Sequence, residues 1–338
     1  MKAVIRYLDR TKGFECKEVP KPIASPGYVI IKVYACPINP SDEGFTKGNY
    51  PIAIPKNLEY VCCGFEGAGQ VVEIGAEVPE SYKGKRVTFT SFKADPNYFF
   101  GTWCEYAKVH YTSCAIFDDS VPYEEACEVF TNPLTVFGMI EQVKKANLNA
   151  FVHTAAASSL GKMLLLEWMD QKIDVICVVR KKEQEDILKK LGAKYILNSS
   201  LPTFENDLKE LSLLLNATIC FDAVGGSLTS KLLSAIPQNS TIYIYGALGG
   251  NINDINIRTM LNNKIKLKGY NVTMSDFVKD PKQRKEKVLE IVNDFTKKGK
   301  FKTHVACRFT LEKCKEALDF YKLTGSSGKV IFIPSYHA

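Results

Sequence analysis

Residues 150–182 read AFVHTAAASSLGKMLLLEWMDQKIDVICVVRKK, and the order of residue types in them decides the fold. AFVHT (150–154) is a short apolar strand, and AAASSLG (155–161) is a loop of small residues. KMLLLEWM (162–169) is rich in unbranched apolar residues that favour a helix. A second buried strand follows at residues 175–179. A strand that passes into a helix through a small-residue turn aims free backbone N–H groups at the turn, where the helix N-terminus favours an anion. In the dinucleotide-binding pattern G-x-G-x-x-G the three glycines fall at Ala156, Ser158 and Gly161, so only the last is kept. Ser158 and Ser159 carry hydroxyls that can donate to a phosphate, and Leu160 and Gly161 complete the loop.

The second strand raises the value of the first. A unit built for NAD ends that strand in an acidic residue about 20 positions on, which binds the ribose 2′-hydroxyl. Here it ends in Arg180-Lys181-Lys182, nineteen residues after Gly161. Three cations in place of an acid attract the 2′-phosphate of NADPH, and Arg180 can pair with it through its planar fork. The competing interpretation is a solvated charge run that starts the next helix.

Outward from this Rossmann-type unit, strand and helix keep alternating. A Lys/Glu-rich helix ends at Leu191-Gly192, and strands follow at residues 218–221, 241–245 and 265–268. The alternation predicts an α/β domain with a doubly wound parallel sheet. Residues 1–121 instead carry short strands punctuated by Gly and Pro, at residues 28–35, 69–74, 85–91 and 104–109, the pattern of a β-barrel or sandwich. A helical pattern takes over across residues 124–143. The end of the chain adds two amphipathic helices, near residues 287–296 and 311–322, and a strand at residues 329–333.

Hydrophobic residues at 46% and charged residues at 24% exclude a largely disordered chain. No apolar run nears the roughly 18 residues that a bilayer crossing needs. The N-terminus, MKAVIRYLDR, enters strand-like alternation without a signal-peptide core, so the cytoplasm is the expected compartment. The eleven cysteines form no C-x-x-C pair and fit a reducing compartment; the adjacent Cys62 and Cys63 read as structural. The net charge of +7 comes from dispersed lysines. It suits an anionic nucleotide but gives no clustered patch for nucleic acid, and the densest basic run, residues 279–287, reads as the solvated start of a helix. Neither a nucleic-acid nor a membrane partner is expected.

Further motifs follow in order: NPSDEGFTKGNYP (39–51), GFEGAGQVVEIG (64–75), GTWCEYAKV (101–109), TNPLTVFGM (131–139), FDAVGG (221–226), YGALGG (245–250) and SSGKVIF (326–332). With AAASSLGK (155–162) and CVVRKK (177–182), they resemble the zinc-free medium-chain dehydrogenases/reductases along nearly the whole chain. The quinone reductases and 2-enoyl thioester reductases are most similar. The resemblance implies a β-rich GroES-like catalytic domain in two pieces, residues 1–121 and 272–338, around a Rossmann NADPH-binding domain, residues 122–271, and a homodimer. It also implies that Asn132 and Thr135 line the nicotinamide and ribose, with Ser158, Ser159, Leu160 and Gly161 on the pyrophosphate. Arg180, Lys181 and Lys182 take the 2′-phosphate. Tyr245, Gly246, Ala247 and Leu248, with Gly269, Tyr270 and Asn271, frame the nicotinamide, and Lys329 reaches back to the cofactor. Asn39 and Tyr50 fall in the substrate pocket, Tyr50 as the proposed proton donor. Zinc-dependent relatives hold their metal with a Cys or His near NPSD and a His in a GHE motif. Asn39-Pro40 and Phe65 stand there instead and offer no thiolate, imidazole or carboxylate, so no metal is expected.

Without a Lewis acid to polarise a carbonyl, the chemistry that fits is hydride delivery to an electron-poor carbon of a small electrophilic substrate. That is conjugate reduction of a 2-enoyl thioester or another α,β-unsaturated carbonyl, with Tyr50 or water protonating the α-carbon. A quinone reductase would share the cofactor site. A non-catalytic, nucleotide-regulated binding protein is the third possibility, resting on Ser159, where relatives usually have glycine. His110 and His153 read as structural, Asp42 and Glu66 as holding the active-site fold, and Cys36 and Cys104 as small apolar fillers. Residues 92–100 and 270–277 are expected to set specificity.

Overall fold

The computed structural model describes residues 1–50, 58–91, 101–272, 279–280, 283–284, 286–291, 304–324 and 328–334. Residues 92–100 and 273–277, expected to set specificity, lie outside the described residues, as do 292–296 of the helix expected at 287–296. Residues 286–291 of that helix are helical. No helix among the described residues is long and apolar enough to cross a membrane.

The chain divides into two compact units, Met1–Pro133 with Asp280–Ala338, and Leu134–Lys279. The sequence placed these borders at 121/122 and 271/272. Residues 122–133 go with the first unit because Glu66 accepts the backbone N–H groups of Phe130 and Thr131, at 3.0 and 2.9 Å. The same bonds interrupt the helical pattern expected across residues 124–143. It becomes Tyr123–Ala126 and Thr131–Lys145, since those donors serve a carboxylate and Pro133 has no N–H to continue a ladder.

In the first unit run β1 (Lys2–Tyr7), β2 (Phe14–Glu18), β3 (Tyr28–Pro37), β4 (Tyr60–Cys62), β5 (Glu66–Ile74), β6 (Arg86–Thr90), β7 (Tyr106–His110) and β8 (Cys114–Ile116). The second unit contributes β9 (Ala150–Thr154), β10 (Asp174–Val179), β11 (Tyr195–Asn198), β12 (Ile219–Asp222), β13 (Thr241–Ile244) and β14 (Lys266–Gly269). Then β15 (Val305–Phe309) and β16 (Lys329–Phe332) return to the first unit.

The first unit holds one sheet of order β2-β1-β4 and another of order β15-β16-β3-β5-β6-β8, with β7 also on β3. Its core gathers Phe45, Phe65, Phe89, Trp103 and Phe332. In the second unit the order is β11-β10-β9-β12-β13-β14, and every pair is parallel. Counted within the unit this is 3-2-1-4-5-6, the doubly wound dinucleotide-binding order. All five residues of β9 are buried, as expected of a central strand covered on both faces. One face carries Val152, Ile176, Val178, Phe204 and Leu232. On the other, Phe151 packs on Trp168 and Phe221. Strand β11 was not anticipated; it has four half-buried residues at a sheet edge, too short to show a period.

Candidate active site

In a doubly wound sheet, ligands bind beyond the carboxyl ends of the strands where the order reverses, here between β9 and β12. The loop leaving β9 is held tight. Ala155 takes a positive φ of 50°, and a Cβ on Gly161 would stand 2.4 Å from the carbonyl oxygen of Ala156. Gly161 is therefore the glycine that lets the helix Ser159–Asp170 close onto its strand. Ser158 caps that helix, its Oγ accepting the Gly161 N–H at 3.1 Å. The Ser158 hydroxyl proton is left to donate outward. Ser158, Ser159 and Leu160 are half-buried.

Across the switch point lies Asp222, a fully buried carboxylate. It accepts from Thr154 Oγ1 at 2.7 Å, Thr229 Oγ1 at 2.5 Å and Val224 N–H at 2.8 Å. These bonds fix the turn into Gly225 and Gly226, both at positive φ. Sequence reasoning flagged FDAVGG without giving Asp222 a task; its partners come from three separate elements. The next loop packs on this one. A Cβ on Gly246 would lie 2.6 Å from Ala223 O, and Leu248 N–H donates to the same oxygen. Ala247 and Leu248 are exposed, whereas the Tyr245 hydroxyl and His153 Nε2 are bonded at 2.8 Å. Burial drives the His153 pKa down to about 3, so this imidazole is neutral. Tyr270 sits in the core, edge-on to Phe221 and Tyr243, with Gly269 and Asn271 exposed beside it.

Arg180, Lys181 and Lys182 are all exposed at the end of β10. The backbone N–H groups of Arg180 and Lys181 both donate to Gln184 Oε1. Lys182 Nζ is engaged by Glu185 Oε2 at 2.9 Å on its own helix. Among the described residues nothing pairs with the Arg180 guanidinium or the Lys181 ammonium. Two of the three expected cations are open.

The first unit has a different character. Asn39 is buried, and its side chain donates from Nδ2 to Glu66 Oε1 at 2.8 Å and accepts from Lys329 Nζ at 2.5 Å. Lys329 is also 3.6 Å from Glu128 Oε2. The Asn39 backbone N–H donates to Asp42 Oδ2 at 2.8 Å. The structure thus joins Asn39, expected in the substrate pocket, to Lys329, expected at the cofactor, through a buried charged network. Glu128 was missed, having no motif around it. Burial lifts the Asp42 pKa to about 7. Tyr50 is half-buried with its ring 5.4 Å from that of Phe65, and burial, with the charge of Asp42, raises its phenol above its usual value. Asn132 is buried and Thr135 half-buried, both in the helix Thr131–Lys145.

A zinc ion does not fit the positions that hold it in relatives: one is a carboxamide already bonded at both ends, the other the phenyl ring of Phe65. Among the described residues no group of three or more His, Cys, Asp or Glu could hold a metal.

Residues 25–119 match the family described as alcohol dehydrogenase GroES-like domain, and residues 162–307 that described as zinc-binding dehydrogenase. A solved structure from Mesorhizobium loti, assigned as an NADPH:quinone reductase, is 30% identical, with a TM-score of 0.85 over 99% of this chain and 98% of its own. The chain belongs to the medium-chain dehydrogenase/reductase superfamily. Quinone and enoyl reductases are among its similar members. The mouse mitochondrial enoyl-[acyl-carrier-protein] reductase is 26% identical over 86% of this chain and 77% of its own length. An NADPH quinone oxidoreductase from Kluyveromyces marxianus is 25% identical over 78% and 73%.

Proposed function

We propose that the protein is a zinc-independent, NADPH-dependent reductase of activated double bonds, with 2-enoyl thioesters and α,β-unsaturated carbonyls as its substrates. The observation that carries this is the pair of open cations, Arg180 and Lys181, where an NAD enzyme keeps an acid. The N-terminus of the helix Ser159–Asp170, capped by Ser158 on the Gly161 N–H, suits the pyrophosphate. Bound NADPH supplies a hydride equivalent to an electron-poor carbon. Tyr50 then gives its Oη proton to the α-carbon of the enolate; burial keeps this phenol protonated at neutral pH, as an acid needs to be. Asn39, held by Glu66 and Lys329, fixes the start of the helix Pro40–Thr46 ahead of Tyr50.

Quinone reduction is the second reading, favoured by the names of the Mesorhizobium and Kluyveromyces relatives. Cofactor oxidation measured across enoyl thioesters, enones and quinones, with NADPH and NADH, separates the two. A preference for NADH defeats the role of Arg180, and failure to bind NADPH at all leaves only a non-catalytic binding protein. Tyr50→Phe is expected to cut kcat on enoyl thioesters about 100-fold; unchanged kcat removes Tyr50 as the donor. We also infer a homodimer and a cytoplasmic setting, the latter because all eleven cysteines are free thiols.

A further inference from the structure

One arginine in the first unit has no counter-charge among the described residues. Arg6, on β1, is only 6% exposed. Its guanidinium lies over the Phe45 ring, 4.7 Å from the centroid, and its buried Nε has no hydrogen-bond partner among the described residues. Among the described residues no carboxylate pairs with it. The adjacent acid, Asp9, is committed to Thr11, accepting from its N–H at 3.0 Å and its Oγ1 at 2.7 Å. A charge of the same sign stands close by. Arg10 and Arg6 converge on Gly48, where a Cβ would stand 3.1 Å from Arg10 Nε and 3.2 Å from Arg6 Nη1. Burial above all pulls the Arg6 pKa down; Cys63 opposes it, and Arg10 adds a smaller downward push. A buried charge left unpaired is costly, and two guanidiniums brought together without an acid repel. An anion with several oxygens removes both penalties at once, since planar forks pair with phosphate or carboxylate through parallel bonds.

The position matters as much as the charge. Gly48 is two residues before Tyr50, and its positive φ of 72° turns the chain there. Phe45, under Arg6, packs on Phe65 at 5.3 Å, and Phe65 packs on Tyr50 at 5.4 Å. One aromatic row therefore links the free guanidinium to the proton donor.

We propose that Arg6 and Arg10, at the Gly48 turn, form an anion subsite that takes the phosphate of a phosphorylated thioester carrier while the acyl chain lies toward Tyr50. This rests on the enoyl thioester reading. The test uses NADPH-saturated protein, so that the cofactor's own phosphate sites are filled. KM is compared for but-2-enoyl-coenzyme A and for but-2-enoyl-N-acetylcysteamine, which has no phosphate. The wild type is expected to favour the phosphorylated thioester about tenfold, the order of a charge-assisted hydrogen bond. Arg6→Met is expected to bring the ratio close to one, and Arg6→Lys to keep part of it. A ratio near one in the wild type, or one that Arg6→Met leaves intact, overturns the proposal. Calorimetric titration with inorganic phosphate is the second readout, independent of turnover. Binding by the wild type that Arg6→Met loses supports the subsite even if no thioester is reduced, which would defeat only the enoyl reading. Phosphate binding with an unchanged KM ratio means a free anion is the ligand and overturns the assignment to substrate. If Arg6→Met does not fold, Arg10→Gln carries the same expectations.

Discussion

A charged cluster in the first unit and one in the second are handled in opposite ways. In the first, Lys329, Asn39 and Glu66 are withdrawn from water and hydrogen-bonded in a chain over a span of 290 residues, with the buried Glu128 Oε2 3.6 Å from the ammonium. In the second, Arg180 and Lys181 stand in water at a strand end with no partner among the described residues. Buried pairs are costly to break because the survivor is left uncompensated. Exposed cations contribute little to stability and are free to serve a ligand. A lysine in a family motif and an arginine at a strand end look alike as letters; their surroundings make one a fastener and leave the other open.

The sharpest way to break this contrast is Lys329→Met. It is expected to destabilise the first unit by about 3–5 kcal/mol, read as a lower urea midpoint; a loss under about 1 kcal/mol would make the network no more than a surface pair. Gly161→Ala comes next, because its Cβ meets Ala156 O at 2.4 Å. A cost of about 1–3 kcal/mol and weaker NADPH binding are expected, and unaltered affinity by fluorescence titration would show that the turn has room. Arg180→Gln is expected to raise the KM for NADPH about tenfold while leaving folding stability and the KM for NADH nearly constant. A parallel rise for both cofactors would place Arg180 elsewhere than on the 2′-phosphate. A further test concerns Asp42. With its folded pKa raised from 3.8 to about 7 by burial, the native state holds a proton there that the unfolded chain has already released. Its contribution to stability is complete below about pH 4 and declines as pH rises toward about 7. Asp42→Asn should flatten that decline in denaturation midpoints across the same window; an unchanged slope would mean that Asp42 is ionised throughout.

The parts legible in the sequence were those whose physics is local. The small-residue turn at Ala155–Gly161 and the basic strand end need only their neighbours to be recognised, and the alternation of strands and helices gave the doubly wound sheet. What stayed hidden depends on distant partners. Asp222 acquires meaning from Thr154 and Thr229, and Glu128 from Lys329. The engagement of Lys182 by Glu185 follows only once residues 182–190 are known to be a helix, and the isolation of Arg6 shows only when its whole surroundings are seen. The broken helix at residues 127–130 has the same origin, a carboxylate from β5 claiming two backbone donors.

Strand β16 pairs with β3 through Ile331↔Pro37 and Phe332↔Cys36, while every strand of the second unit lies within residues 150–269. During synthesis the parallel sheet can therefore be complete while the barrel still lacks its closing strand and the ammonium that neutralises its acids. Late, long-range closure of this kind is slow and leaves a strand edge exposed in the meantime. A nascent chain stalled before residue 329 would carry a finished nucleotide domain beside an unfinished barrel whose β3 edge is open to a neighbouring chain.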